Sequence, residues 1–198
     1  MNNSNSLALK IFKYRSYTPI PFLVVMLLYR NPNIWSIIIG LAIALLGELI
    51  RIWAVSWAGS ETRTTGHLAG TFLVISGPFA YVRNPLYIGN ILIYTGLGVM
   101  SFALFPYLQI LGLIFFILQY NIIIKEEEGF LKKTYGKDYE EYCSKVRRFL
   151  PNTKPYKSNK LAQPDFSWSE GFKSEKRSLQ AFGFVALTII VLWLLQRI

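Results

Sequence analysis

Apolar residues in this chain come in runs too long for a soluble core. The hydrocarbon layer of a bilayer is about 30 Å thick, and a helix needs roughly 20 apolar residues to cross it. Ile34 to Ala58 meets that length, with Glu48 and Arg51 set inside it. Leu86 to Phe105 and Tyr107 to Ile124 follow, separated only by Pro106, which reads as a tight helical hairpin. Leu179 to Leu195 is a fourth run, just long enough to span. Tyr17 to Tyr29 is the weakest: it is short, holds Pro19 and Pro21, and either spans with bent flanks or lies at the interface. The expectation is an all-α, polytopic helical membrane protein of about five transmembrane helices, with four as the alternative. A hydrophobic content of 53% with five Trp, twelve Tyr and fourteen Phe suits a membrane protein with interfacial aromatics.

The charge is as uneven as the hydropathy. The formal net charge is +10, from 21 Lys and Arg against 11 Asp and Glu. With five spans, nineteen of the basic residues fall on one side, and only Arg30 and Arg197 on the other. The positive-inside rule then puts the N-terminus, the Glu61–Arg83 loop and the basic segment Lys125–Ser178 in the cytoplasm. A juxtamembrane position accounts for the charge, and no nucleic-acid module is present, so membrane lipids rather than nucleic acid are the expected partners. The polar stretch Met1 to Ser6 and the absence of a small-residue cleavage pattern give no signal-peptide reading. One cysteine, Cys143, and one histidine, His67, cannot supply the usual zinc ligand set, and Cys143 has no partner for an internal disulfide.

Past Ile124 the fourth apolar run continues as a polar helix. Phe130, Leu131, Tyr135, Tyr139, Tyr142 and Val146 recur at three- to five-residue steps, which predicts one packed face and one wet face. Gly136 is placed to end one helix and Asp138 to cap the next. Pro151 to Ser178, with Pro155 and Pro164, reads as a polar linker poor in helix signals. The chain is therefore expected to be one membrane domain: a core over residues 58–151, a linker over 152–178 and a C-terminal transmembrane helix over 179–198.

Two segments carry candidate chemistry. Leu73 to Gly89 runs from a loop into a membrane helix, with a turn at Gly77-Pro78 and Pro85 in the first helical turn. Asn84 is then the N-cap, and such a helix start offers free N–H groups to a carboxylate or phosphate. The plainer reading is a capped helix start with an aromatic belt of Phe79, Tyr81 and Tyr87. The second segment is Lys125-Glu126-Glu127-Glu128 at the end of the apolar run. Three carboxylates near a helix C-terminus oppose the dipole and call for basic neighbours or a cationic ligand. The plainer reading is a solvated acidic turn among lysines.

Taken together the two segments are specific. Arg83-Asn84-Pro85-Leu86-Tyr87-Ile88-Gly89, then about 35 residues of hairpin, then Glu126-Glu127 and Gly136-Lys137-Asp138-Tyr139-Glu140-Glu141-Tyr142 resemble the isoprenylcysteine carboxyl methyltransferase family, related to the phospholipid methyltransferases. The resemblance covers Ala58 to Pro151. It implies S-adenosyl-L-methionine as cofactor, held in a cytoplasm-facing pocket built from these two segments rather than from a Rossmann sheet. It implies cofactor contacts from Thr71, Phe72, Leu73, Val74, Phe79, Asn84, Pro85, Leu86, Tyr87 and Glu127. Glu127 would hold a cationic or hydroxyl part of the cofactor, Asn84 and nearby backbone its other polar groups, and Phe79 would pack on it. Glu127, Arg83 and Tyr87 are the catalytic candidates. The implied reaction is methyl transfer to a lipophilic or prenylated acceptor, foremost a carboxylate of isoprenylcysteine type. Asn84 stands where histidine is common in the carboxyl methyltransferases. Ile123 stands where they carry an arginine facing the substrate carboxylate, which weakens the case for a prenylated-protein substrate.

The other readings are a phospholipid amine N-methyltransferase, an NADPH-dependent membrane reductase of the sterol-reductase kind, and a non-catalytic scaffold. An amine or phenol acceptor would need a proton acceptor, for which Glu126, Glu128 and Tyr87 remain open. Gly96-Leu97-Gly98 lies inside an apolar helix and reads as helix packing. Glu48 and Arg51, one turn apart, are expected to pair or to sit near the cytoplasmic end. His67, with Arg63 and Thr65, reads as a solvated loop. Arg147 and Arg148 read as ligands of lipid phosphate, with a place in the lining of the site as the alternative.

Overall fold

The computed structural model describes residues 10–59 and 72–196. Thr71, His67, Arg63 and Thr65 lie outside the described residues. Beyond a helical stretch at residues 10–14, five helices follow one another among the described residues: α1 (Ile20–Leu28), α2 (Ile34–Ala58), α3 (Pro85–Ser101), α4 (Tyr107–Lys145) and α5 (Trp168–Leu195), with a 3-10 turn at Gly77–Ala80 before α3. No strand occurs among the described residues.

Among the described residues three helices, α2, α4 and α5, are long and apolar enough to cross a membrane. Their outward faces confirm the setting. Ile38, Ile39, Leu45, Leu46 and Leu49 on α2 are exposed, as are Ile110, Leu111, Ile114 and Leu118 on α4 and Phe184, Leu187, Val191 and Leu194 on α5. Water would not tolerate that much contiguous apolar surface, whereas lipid chains require it. The protein is an integral membrane protein. The expectation of five spans also counted two shorter helices: α3 has 17 residues and α1 only nine. At 1.5 Å per residue α1 covers about 14 Å, under half the hydrocarbon layer.

The chain divides into two compact units. The first draws on Met1–Glu48, Asn90–Ile122 and Arg177–Ile198. Its core holds Ile37, Ile93, Leu97, Met100 and Ile189. Here α2 and α3 meet backbone to backbone. A Cβ added to Gly96 would lie 2.6 Å from both Ala44 N and Gly40 O, and one on Gly40 would fall on the backbone of Met100. Small residues at this crossing let the helices close up, as membrane helices without a hydrophobic drive between them require. Gly96 thus serves packing, as its place in an apolar helix foretold. Asn33 caps α2: its Oδ1 accepts from the N–H groups of Trp35 and Ser36, both at 3.0 Å, and Ser36 Oγ accepts from Asn33 N–H at 3.0 Å. The turn around Pro106 joins α3 to α4 as a hairpin, closed by Gln109 Nε2 donating to Gly98 O at 2.8 Å.

The second unit comprises Leu49–Gly89 and Ile123–Lys176. Its core is Leu73, Ile75, Tyr139, Tyr142 and Val146. Two glycines set its bends. Gly77 has φ +59, and a side chain there would strike the indole of Trp57, so the 3-10 turn needs a residue without Cβ. Gly136, at φ 52 and ψ −122, breaks α4 where the sequence suggested. No capping bond from Asp138 is present among the described residues. The bend turns Tyr139, Tyr142 and Val146 onto Leu73 and Ile75.

The linker reading of Pro151–Ser178 is corrected in part, because α5 begins at Trp168. Ser167 Oγ accepts from Glu170 N–H at 3.3 Å, giving the start a serine cap. The first turns of α5 are polar, and hydropathy alone hides them. Within this unit they pack on the end of α2: Ser167 N–H donates to Ser56 O at 2.9 Å, and Gly171 sits against Ser56. Arg51 pairs with Glu175 at 2.6 Å, the two side chains 14% and 2% exposed. Upstream, residues 147–156 form a strap along the 80–83 segment. Arg83 N–H donates to Arg147 O, Asn152 N–H to Tyr81 O and Tyr156 N–H to Ala80 O, at 2.9, 2.8 and 2.9 Å.

Candidate functional site

The second unit contains an open cavity of about 160 Å³. The loop before α3 supplies Phe72, Leu73, Val74, Phe79, Arg83 and Asn84; α4 supplies Glu127, Glu128, Leu131, Tyr139 and Tyr142; Ala58 closes it from α2. Residues some forty to seventy positions apart thus share one wall because the Gly136 bend and the Gly77 turn bring both segments together.

Each polar member is held in place. Tyr87, in the first turn of α3, donates its O–H to Glu127 Oε1 at 2.7 Å. A phenol bonded to a carboxylate fixes that carboxylate's rotamer and supports its negative charge. Glu128 is gripped by two guanidinium groups. Arg83 Nη2 lies 3.2 Å from its Oε1, Arg148 Nε donates to the same oxygen at 3.2 Å, and Arg148 Nη2 donates to Oε2. Arg148 is therefore tied to this site, the alternative its sequence position left open beside lipid phosphate. Arg83 keeps a buried Nε that meets no partner among the described residues.

Asn84 does not cap α3 with its side chain. Its carbonyl accepts the helical bond from Ile88 N–H at 3.2 Å, while its Nδ2 donates to Arg148 O at 3.2 Å. The dipole reading of the acidic run is corrected as well. The helix runs on past Glu128 to the bend at Gly136, so these carboxylates are not at a C-terminus, and the compensation comes from arginines.

Two residues clamp the loop. Tyr142 Oη donates to Phe79 O at 2.7 Å. Gln163 accepts from Ile75 N–H at 2.8 Å and donates to Leu73 O at 3.0 Å, so one amide side chain reads a strand-like stretch as a partner strand would. Burial pushes the phenols of Tyr139 and Tyr142 far above their ordinary range, so both remain protonated donors.

Of the residues singled out from the sequence, Phe72, Leu73, Val74, Phe79, Arg83, Asn84 and Glu127 line this cavity, and Tyr87 reaches it through Glu127. Pro85 lines a different cavity, and Leu86 lines neither. Sequence reasoning assigned no site role to Leu131, Tyr139, Tyr142 or Gln163. The tyrosine spacing after Gly136 was the available signal for two of them. Nothing local marks Gln163.

The sequence that builds this cavity has relatives among known proteins. The family model for phospholipid methyltransferases matches residues 35–138. The chain belongs to the phospholipid methyltransferase family. Within the wider set of relatives, it is 27% identical over 154 residues to a cobalt-zinc-cadmium resistance protein of Cupriavidus metallidurans, covering 77% of this chain and 62% of that protein. It is 30% identical over 119 residues to a probable protein-S-isoprenylcysteine O-methyltransferase of Oryza sativa, covering 57% and 60%. It is 31% identical over 134 residues to the protein-S-isoprenylcysteine O-methyltransferase of Xenopus laevis, covering 62% and 43%. The chain thus spans 62%, 60% and 43% of the lengths of these three relatives. No solved structure matches it at a significant level.

Proposed function

We propose that this chain is a methyltransferase that uses S-adenosyl-L-methionine to methylate a lipophilic acceptor, a carboxylate of isoprenylcysteine type, at the cytoplasmic membrane face. Family membership and the names of the rice and frog relatives support the reaction class. The observation that carries the reading is the gathering of Glu127, Arg83, Phe79, Leu73 and Val74 around one cavity.

That wall suits the cofactor, which when bound supplies an electrophilic methyl group on a sulfonium centre. Glu127 presents a carboxylate to a cationic or hydroxyl group, with Tyr87 holding it in place. Arg83, with its buried Nε unfilled, suits a carboxylate. Phe79, Leu73 and Leu131 suit an aromatic, apolar body. For a displacement of this kind the protein's main task is alignment, and preset side chains lower its entropy cost.

The carboxylate acceptor is favoured over an amine by how the carboxylates of the wall are engaged: Glu128 by two guanidinium groups and Glu127 by the Tyr87 hydroxyl. An ionised carboxylate attacks without losing a proton, whereas an ammonium must first shed one. Ile123, where the carboxyl methyltransferases carry an arginine, is fully buried, so the acceptor need not be a prenylated protein.

Calorimetric titration of the detergent-purified chain with S-adenosylmethionine, and with NADPH in parallel, tests the cofactor. Micromolar binding of S-adenosylmethionine that Glu127→Ala weakens is the expected result. NADPH binding in its place would replace the reading with a reductase, and silence from both would point to a scaffold. Turnover of a farnesylcysteine carboxylate against phosphatidylethanolamine then separates the two acceptor classes.

A further inference from the structure

A second cavity, of about 270 Å³, lies on the other face of the 78–85 segment. Neighbouring residues alternate between the two: Phe79, Arg83 and Asn84 line the first, and Pro78, Val82 and Pro85 the second. Ile50, Trp53, Tyr81, Ile88 and Pro151 complete the second wall, which carries no charged side chain.

The strap of residues 147–156 holds this wall in place, and its charge is unusual. From Tyr142 to Pro164 the sequence contains no Asp or Glu. Arg148 and Lys160 find carboxylates elsewhere, in Glu128 and Glu141. Lys145, Arg147, Lys154 and Lys157 are exposed, and none forms an ion pair among the described residues. The backbone bond from Asn152 to Tyr81 ties the strap to a residue that lines the cavity, and the bond from Arg83 to Arg147 ties Arg147 to the neighbour of the lining residue Val82. Leu150, 67% exposed, stands beside Pro151 at that wall. An uncharged cavity in the same unit as these exposed cations is complementary to an amphiphile with an anionic head.

We propose that the second unit binds an anionic phospholipid, with one acyl chain in the cavity under Trp53 and its phosphate against Arg147, Lys154 and Lys157. The lipid is a bound partner of the strap. The proposal does not rest on the methyl-transfer reading.

The test uses the full chain in neutral detergent, titrated with chain-brominated phosphatidylglycerol or chain-brominated phosphatidylcholine, with tryptophan quenching as the readout. Phosphatidylglycerol should quench at roughly tenfold lower concentration. The excess quench should vanish in Trp53→Phe, which removes the reporter in the cavity wall. Lys154→Glu with Lys157→Glu should bring the two lipids together, as should 0.5 M salt on the unaltered protein, which guards against a variant that fails to fold. Equal quenching by the two lipids would overturn the proposal, as would a headgroup preference that survives both charge reversal and salt. Excess quenching that persists in Trp53→Phe would place the chain at another tryptophan and overturn the cavity assignment.

Discussion

At the scale of single residues, the bond from Tyr87 to Glu127 joins the two segments whose likeness to a known family was legible in the sequence. Tyr87→Phe removes a charge-assisted hydrogen bond, worth about 1.5–3 kcal/mol when made to an ionised group. Cofactor affinity measured by calorimetry should fall roughly tenfold or more, and an unchanged Kd would remove Tyr87 from the site. The partners of Glu128 were not legible. A row of three glutamates looks alike from one to the next, and the approach of Arg83 and the return of Arg148 along the strap distinguish Glu128 from its neighbours. Gly77 illustrates a positional requirement. Gly77→Ala imposes a positive φ on a residue with a Cβ and drives that Cβ onto Trp57. A loss of about 1–3 kcal/mol is expected, read as a lowered melting temperature in detergent.

Among the elements, α4 shows how a pattern and a breaker combine. The aromatic spacing after Ile124 indicated a packed face, and Gly136 indicated a break; the fold turns that face onto Leu73 and Ile75. A Cβ at Gly136 would meet nothing within 4 Å, so Gly136→Ala tests backbone conformation alone. It should favour a straight helix, loosen Tyr139 and Tyr142, and make the 72–79 loop a faster target in limited proteolysis. The last helix was less legible. Its start at Trp168 is amphiphilic and polar, and a hydropathy window registers only the apolar turns that follow. Yet those polar turns place Glu175 against Arg51, almost wholly buried. Breaking one half of a buried ion pair strands the other charge and costs about 3–5 kcal/mol. Glu175→Gln should therefore destabilise the chain far more than Glu170→Gln, whose side chain is exposed, in matched thermal melts. Equal melts would mean the pair contributes nothing beyond solvation.

For the molecule as a whole, orientation follows from charge. Nineteen of the 21 basic residues fall on one side under a five-span count, and that side is expected to be cytoplasmic. With Cys143→Ser as background, Lys154→Cys should react with a membrane-impermeant maleimide only after cells are opened. Labelling of intact cells would reverse the topology. The sequence by itself determined that the chain lives in a membrane, that it is helical, where its hairpin turns, and which two segments carry the family signature. These are properties of composition, period and short spacing, and lipid solvent enforces them locally because every backbone polar group must be satisfied within its own helix. The tertiary structure alone decided which carboxylate each arginine neutralises, that Gln163 and Tyr142 clamp the loop, and that the supposed linker is both a strap and the first turns of α5. Those contacts join residues from about twenty to more than one hundred and twenty positions apart. The glycine bends were legible one by one, but which buried partners they bring together is a long-range outcome that no local pattern encodes.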